Sequence, residues 1–299
     1  MLSDKTRLLA EKLIESDSPF LAPFSWLYAL AVLVRNFFYD LKILPVTKVP
    51  CTVVSVGNIV AGGVGKTPFV HLLASSFPHR KVAILSRGYG SMPDEALLLS
   101  KRLPQVKVFV GKNRVKLAQI AAKEADLILL DDGFQYRKLF RDFEVVLHKK
   151  GERHYLPWGF LRDSPKRLKG IDALFDETDF QMKVEAILDL KGNQVDSIKG
   201  KNVVLFSAIA NPRRFKKTVE ELGAKIVREK RFADHAQIDL DTLPEGSLFV
   251  CTEKDAVKLS PTHLPIVYLK MQMDMNQGLE RFEKVVEKID QKIENGWDL

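Results

Sequence analysis

Short apolar runs alternating with helix-compatible stretches set the pattern of residues 46–178. Thr52-Val53-Val54-Ser55-Val56, Lys81-Val82-Ala83-Ile84-Leu85, Val106-Lys107-Val108-Phe109-Val110, Leu127-Ile128-Leu129-Leu130 and Phe143-Glu144-Val145-Val146-Leu147 each read as strands. Between them, residues 113–124 place Val115, Ala118, Ala121 and Ala122 on one helical side, and Asp94 to Leu103 is helix-compatible. Nearly continuous apolar strands separated by helices predict a mainly parallel sheet covered on both faces. Residues 176–200 are polar, with one alternating run through Phe180, Met182, Val184, Ala186 and Leu188 that reads as a half-exposed strand. A second βα series begins at Lys201-Asn202-Val203-Val204-Leu205-Phe206, with a helix from Asn211-Pro212 and strands at 248–251 and 265–270. The last helix places Leu279, Phe282, Val286, Ile289 and Ile293 on one face, so it should pack. The expected order is an N-terminal apolar segment (1–45), an α/β core (46–178), a linker (179–200) and a smaller C-terminal α/β domain (201–299).

Residues 20–34, from Phe20 to Val34, are nearly free of charge and lead into Arg35-Asn36-Phe37-Phe38-Tyr39. The run is shorter than the ~20 residues a transmembrane helix needs. Its acidic leader (Glu11, Glu15, Asp17) is foreign to a secretory signal. Two readings fit: a helix buried against the domain, or an interfacial helix dipping Trp26, Tyr28, Phe37 and Phe38 into a bilayer surface.

The chemistry begins where the first strand ends. Gly62-Gly63-Val64-Gly65-Lys66-Thr67 follows that strand and leads into the helix-like Pro68-Phe69-Val70-His71-Leu72-Leu73-Ala74. Strand, glycine loop, Lys-Thr and helix is the order that holds a nucleoside triphosphate. Backbone N–H groups curl around the phosphates, Lys66 reaches the β and γ oxygens, and the Thr67 hydroxyl ligates Mg²⁺. The strict G-x-x-x-x-G-K-[ST] pattern fails, because Val60 stands where its first glycine belongs. The reading is therefore a P-loop-like core binding ATP or GTP.

Asp131-Asp132 end the most apolar strand, on the sheet edge where the glycine loop emerges. A carboxylate there can hold Mg²⁺ opposite Thr67, and adjacent carboxylates repel unless a cation separates them; a capping Asp pair in a solvated loop is the other reading. Arg87, in Ser86-Arg87-Gly88-Tyr89-Gly90, faces a phosphate or sits in a plain surface turn. Asp94-Glu95 reads best as negative charge in a helix's first turn. Arg162 occupies a glycine-proline loop suited to a rigid cationic contact, and Asp234-His235 precede a polar segment of the second domain.

Composition adds less. With 46% hydrophobic and 28% charged residues the chain reads as a globular protein, and a net charge of +8 favours an anionic partner. No block of Lys and Arg marks a nucleic-acid arm, and nucleic acid is not expected as a partner. Nor does any feature call for an obligate protein partner. Cys51 and Cys251 lie far apart in strand-like runs and read as buried thiols, with no Cys/His cluster for zinc.

Taken in order, Ser55-Val56-Gly57-Asn58, Gly62 to Pro68, Leu85 to Tyr89, Asp94-Glu95, Leu130-Asp131-Asp132-Gly133-Phe134-Gln135, Leu156 to Arg162, Asp234-His235 and Thr252-Glu253-Lys254-Asp255 resemble the tetraacyldisaccharide 4'-kinase family. The resemblance implies transfer of the ATP γ-phosphoryl to the 4'-hydroxyl of a tetraacylated glucosamine disaccharide 1-phosphate, forming lipid IVA in lipid A biosynthesis. It implies a peripheral enzyme at the cytoplasmic face of the inner membrane, which favours the interfacial reading of the N-terminal helix. By similarity, Gly62 to Thr67 hold ATP·Mg²⁺ and Asp131 and Asp132 organise the metal. Asp94 and His235 form a catalytic pair, with Asp94 taking the sugar proton, and Arg162 and Arg114 are suited to phosphate contact. Three departures stand out: Pro93-Asp94-Glu95-Ala96 in place of Gly-Asp-Glu-Pro, Tyr136 in place of His, and Asp163 in place of Glu.

The rival reading is a membrane-associated P-loop ATPase switch of the partitioning or division-positioning type. Those proteins carry a second lysine just before the Gly-Gly pair, where this chain has Ala61. A GTPase would need Asn-Lys-x-Asp, which Thr252-Glu253-Lys254-Asp255 does not supply.

Overall fold

The computed structural model describes residues 19–88, 94–209, 211–233 and 236–296. Two compact units divide the described chain: residues 19–181 with 273–296, and residues 182–272. The sequence led us to place the second unit at 201–299. It starts earlier, at 182, because the alternating run of 180–188 is a full strand of its sheet, and it ends earlier, at 272, because the C-terminal helix packs with the first unit.

The first unit carries a six-stranded sheet. Its strands are β1 (Thr52–Gly57), β2 (Val82–Ser86), β3 (Lys107–Val110), β4 (Leu127–Asp131), β5 (Phe143–His148) and β6 (Ala173–Asp176), in the order β3-β2-β4-β1-β5-β6. Every adjacent pair is parallel. β1, β2 and β4 are buried along their whole length, which is why they read as unbroken apolar runs rather than alternating ones. Helix α1 (Ala22–Asp40) precedes β1; α2 (Lys66–Ser75), α3 (Asp94–Arg102) and α4 (Arg114–Ala121) follow β1, β2 and β3. Ala118 and Ala121 of α4 pack with Val53, Leu85, Ile128 and Leu130 in one buried cluster.

The second unit holds β7 (Phe180–Asp189), β8 (Asn202–Ser207), β9 (Lys225–Arg231), β10 (Phe249–Thr252) and β11 (Ile266–Met275), ordered β7-β11-β10-β8-β9, with α5 (Pro212–Glu221) and the short α6 (Glu253–Ala256). β8 to β11 pair in parallel. A small second α/β sheet is thus present, as expected.

Helix α7 (Leu279–Glu294) buries Phe282, Val285 and Ile289. Leu279, expected on that face, is exposed, because the buried stripe starts three residues later. Phe282 meets Phe69 of α2 edge-on at 5.7 Å and Phe175 of β6 at 6.5 Å, while Phe69 and Phe175 lie 5.2 Å apart. Such pairs add to simple area burial. Phe282→Ala should therefore cost about 3 kcal/mol of stability, read by urea unfolding; a loss below about 0.5 kcal/mol would detach α7 from this core.

Candidate active site

Parallel register places the two chemistry-bearing loops side by side. Val56 at the end of β1 is the Cα partner of Asp131 at the end of β4, so the glycine loop and the Asp-Asp turn leave adjacent strands on one edge. β2 pairs with β4 through Leu85 and Leu130, so the segment leading to α3 leaves the same edge. Strand ends of this kind are where open α/β sheets bind ligands.

Each loop has a local reason for its shape. Gly62 and Gly65 take left-handed φ values of 113° and 86°, and Gly65 is the residue from which α2 starts. A left-handed residue at that point lets the chain turn sharply into α2, whose N-terminus suits phosphate oxygens. Lys66 and Thr67 occupy the first turn of α2. Across the gap, Gly133 lets the Asp-Asp turn lie against β1, because a Cβ there would fall 2.5 Å from Ser55 Oγ.

Asp132 is the focus of charge. It has φ 53°, a conformation that costs a non-glycine residue on the order of 1 kcal/mol. Arg162 donates to both of its carboxylate oxygens, at 2.6 and 3.1 Å, and Lys66 Nζ stands 3.5 Å away. Burial opposes ionisation of Asp132, but Lys66 and Arg162 outweigh it and hold the carboxyl well below the usual range. Asp131 moves the other way: burial and the charge of Asp132 raise it, with Lys66 only partly offsetting them.

Arg162 is steered there by backbone pairing. Ala61 N–H donates to Phe160 C=O and Arg162 N–H to Ile59 C=O, both at 2.7 Å, with Val60 and Leu161 bridged antiparallel. Asn58, which had no assigned role, accepts from Arg162 and holds Gln135 through its carbonyl at 2.7 Å. Arg114 had been expected to face a phosphate. It is 3% exposed, and its guanidinium donates to the backbone carbonyls of Asp131 (2.9 Å) and Asp132 (3.1 Å). The ring of Tyr136 lies 4.3 Å from its Cζ. Arg114 thus braces the left-handed turn, and its charge also favours the ionised carboxylates of Asp131 and Asp132.

Asp94 begins α3 and is buried, 3% exposed. His235, and with it the expected Asp94–His235 pair, lies outside the described residues, as does Asp234. Oxygen ligands are few: among the described residues no group of three or more His, Cys, Asp or Glu could hold a metal. Thr67, Asp131 and Asp132 nevertheless suit Mg²⁺, which keeps waters and shares phosphate oxygens.

The model of the tetraacyldisaccharide-1-P 4'-kinase family matches residues 18–291. The chain belongs to this family. Among its relatives, the tetraacyldisaccharide 4'-kinase of Aquifex aeolicus is 34% identical, covering 80% of this chain and 89% of the relative. That of Chlamydia abortus is 32% identical over 91% and 90%. A crystal structure of LpxK from Aquifex aeolicus in complex with ATP matches with TM-score 0.78 and 31% identity, covering 90% of this chain and 98% of that one.

In this member of the 4'-kinase family the signal missed in the sequence was Asp163, noted only as a departure from Glu. Its carboxylate is fully buried. It accepts from Arg35 (2.9 Å) and Asn36 (2.8 Å) of α1, from Arg167 (2.6 Å) and from the Ser164 N–H (2.8 Å). Ser25 and Tyr28 of α1 donate to the carbonyls of Tyr155 and Arg162. One face of α1 is thereby tied to the loop carrying Arg162. Phe20, Phe24, Trp26, Leu27, Leu30 and Phe37 are exposed. The helical stretch Pro19–Asp40 is long and apolar enough to cross a membrane by length and composition, longer than the sequence run suggested. Asp163→Ala leaves two guanidinium groups without their shared acceptor, so it should cost about 3 kcal/mol and speed amide exchange along 22–40. Wild-type exchange there would refute the tie.

Proposed function

We propose that this protein transfers the γ-phosphoryl group of ATP to the 4'-hydroxyl of a tetraacylated disaccharide 1-phosphate. The observation that carries the reading is Lys66 and Asp132 facing each other at 3.5 Å where β1 and β4 end, beside a glycine turn that opens a helix. Family membership supplies the acceptor class. The partitioning-ATPase alternative has no such support, and Ala61 lacks its extra lysine.

Phosphoryl transfer is mostly positioning and neutralisation of charge. The loop N–H groups from Gly62 to Gly65, with Gly63 and Val64 between them, bind the phosphates. Lys66 follows the charge on the β and γ oxygens, exchanging its pairing with Asp132 for a stronger anion. Arg162 fixes Asp132 through two hydrogen bonds, and Arg114 fixes the turn beneath. Thr67, Asp131 and Asp132 are the residues to hold Mg²⁺, which when bound neutralises charge on the transferring group. Asp94 accepts the proton of the 4'-hydroxyl, and His235 orients it and passes the proton on. Burial of Asp94 at the start of α3 supports the first role; the second rests on resemblance.

The acyl chains of such an acceptor reside in a bilayer, and α1 suits work there. A helix hydrogen-bonded to its own protein at residues 25, 28 and 36 lies along that protein, so its exposed aromatics serve an interfacial contact rather than a crossing. The reading is a peripheral enzyme at the cytoplasmic face of the inner membrane.

Labelled ATP incubated with the purified disaccharide in detergent should give labelled product, and Lys66→Ala should lower turnover at least about a thousandfold without loss of fold. Asp94→Ala and His235→Ala should each depress turnover, with the double variant costing far less than the sum. Unlabelled disaccharide with active wild-type ATP hydrolysis would reject the acceptor.

A further inference from the structure

A cavity of about 740 Å³ lies between the C-terminal half of α1 and residues 137–170. None of Gly62 to Thr67, Asp94, Arg114, Asp131, Asp132 or Arg162 lines it, so it is separate from the kinase cluster. Its walls are of two kinds. One is apolar, with Leu33, Val34 and Phe37 of α1 exposed at 45%, 45% and 58%. The other is basic, with Arg137, Arg141, Lys166 and Arg167.

The charges do not balance. Four cations line the space against two carboxylates, Asp40 and Glu144, leaving an excess of two. Asp40 is paired with Arg137 at 2.7 Å and Glu144 with Arg141 at 2.8 Å. Arg167 is held by Asp163, a buried carboxylate that Arg35 also claims. Lys166 is exposed at the rim. Burial lowers the Arg141 guanidinium to about 10, Glu144 opposes this, and the neighbouring Arg167 and Arg137 add to it. Guanidinium groups crowded beside a cavity form a site for an anion, and arginine favours phosphate oxygens.

A ligand that meets both walls carries phosphate at one end and hydrocarbon at the other. We propose that this cavity seats the head group of an anionic bilayer phospholipid, its phosphate among Arg137, Arg141 and Lys166 and its acyl chain along Leu33 and Phe37. The site makes α1 a lipid-selective anchor rather than a merely greasy one. It rests on the interfacial placement of α1 but not on the kinase chemistry.

The test compares binding of the full-length protein to phosphatidylcholine vesicles with and without about one-third phosphatidylglycerol. Wild type should prefer the anionic vesicles, and Lys166→Glu should lose at least about fivefold of that preference, the worth of one surface cation near an anionic leaflet. Lys217→Glu, an equal charge change at an exposed residue of α5, should lose much less. With acceptor dispersed in nonionic detergent, KM of Lys166→Glu should match wild type. Equal losses in the two variants would reduce the effect to diffuse charge, and unchanged binding of Lys166→Glu would remove the site; either overturns the proposal. A KM raised in detergent without phospholipid would assign the cavity to the acceptor's own phosphate and overturn it too. Vesicle binding is read without turnover, so an inactive kinase would not confuse the result.

Discussion

A carboxylate held in a left-handed turn by two cations is the interaction on which the site depends. Asp132 takes a left-handed backbone conformation uncommon outside glycine, and its charge survives burial because Lys66 and Arg162, with Arg114 behind them, offset it. Each of the three comes from a different segment: α2, the β4 turn and the Leu156–Arg162 loop. Their meeting therefore fixes three loops at once. Arg114 and Asn58 serve the same end from behind, one on the carbonyls of the turn and the other on Arg162. Buried charge of this kind is weak evidence for stability. It suits a site built to receive a highly charged nucleotide.

Asp163 extends the network by one residue to the surface. Arg162 reaches inward to Asp132 while its chain neighbour reaches outward to Arg35 and Asn36, so the apolar helix and the loop carrying Arg162 share one short segment. A lipid kinase has to bring a water-soluble nucleotide to an acceptor in a bilayer. With α1 interfacial, as proposed above, anchoring it directly on the loop that orders the Asp-Asp turn would give both substrates a common frame.

Much of this was legible in the chain. Strands β1, β2 and β4 are buried throughout, so the strongest local signal, an unbroken apolar run, coincides with the centre of the sheet. The glycine loop and Asp131-Asp132 could be placed together because parallel strands expose their ends on one edge. What local pattern could not carry was partnership across distance. Arg114 looks the same in sequence whether it meets phosphate or carbonyl oxygen, and only the fold shows it buried on the carbonyls of Asp131 and Asp132. Asp163 and Arg35 lie 128 residues apart, and no periodicity joins them. The alternation at 180–188 reads as a half-exposed strand but falls to the linker, since nothing local reveals that β11 will pair with it. Helix α7 shows an apolar face without saying which sheet receives it.

The most direct measurement is a crystal structure of this protein with Mg²⁺ and a non-hydrolysable ATP analogue. Lys66 Nζ should lie within hydrogen-bonding reach of the β and γ oxygens, with Thr67, Asp131 and Asp132 the residues nearest the metal and Arg162 still on Asp132. A triphosphate bound elsewhere, with Lys66 engaging Asp132 alone, would contradict this reading.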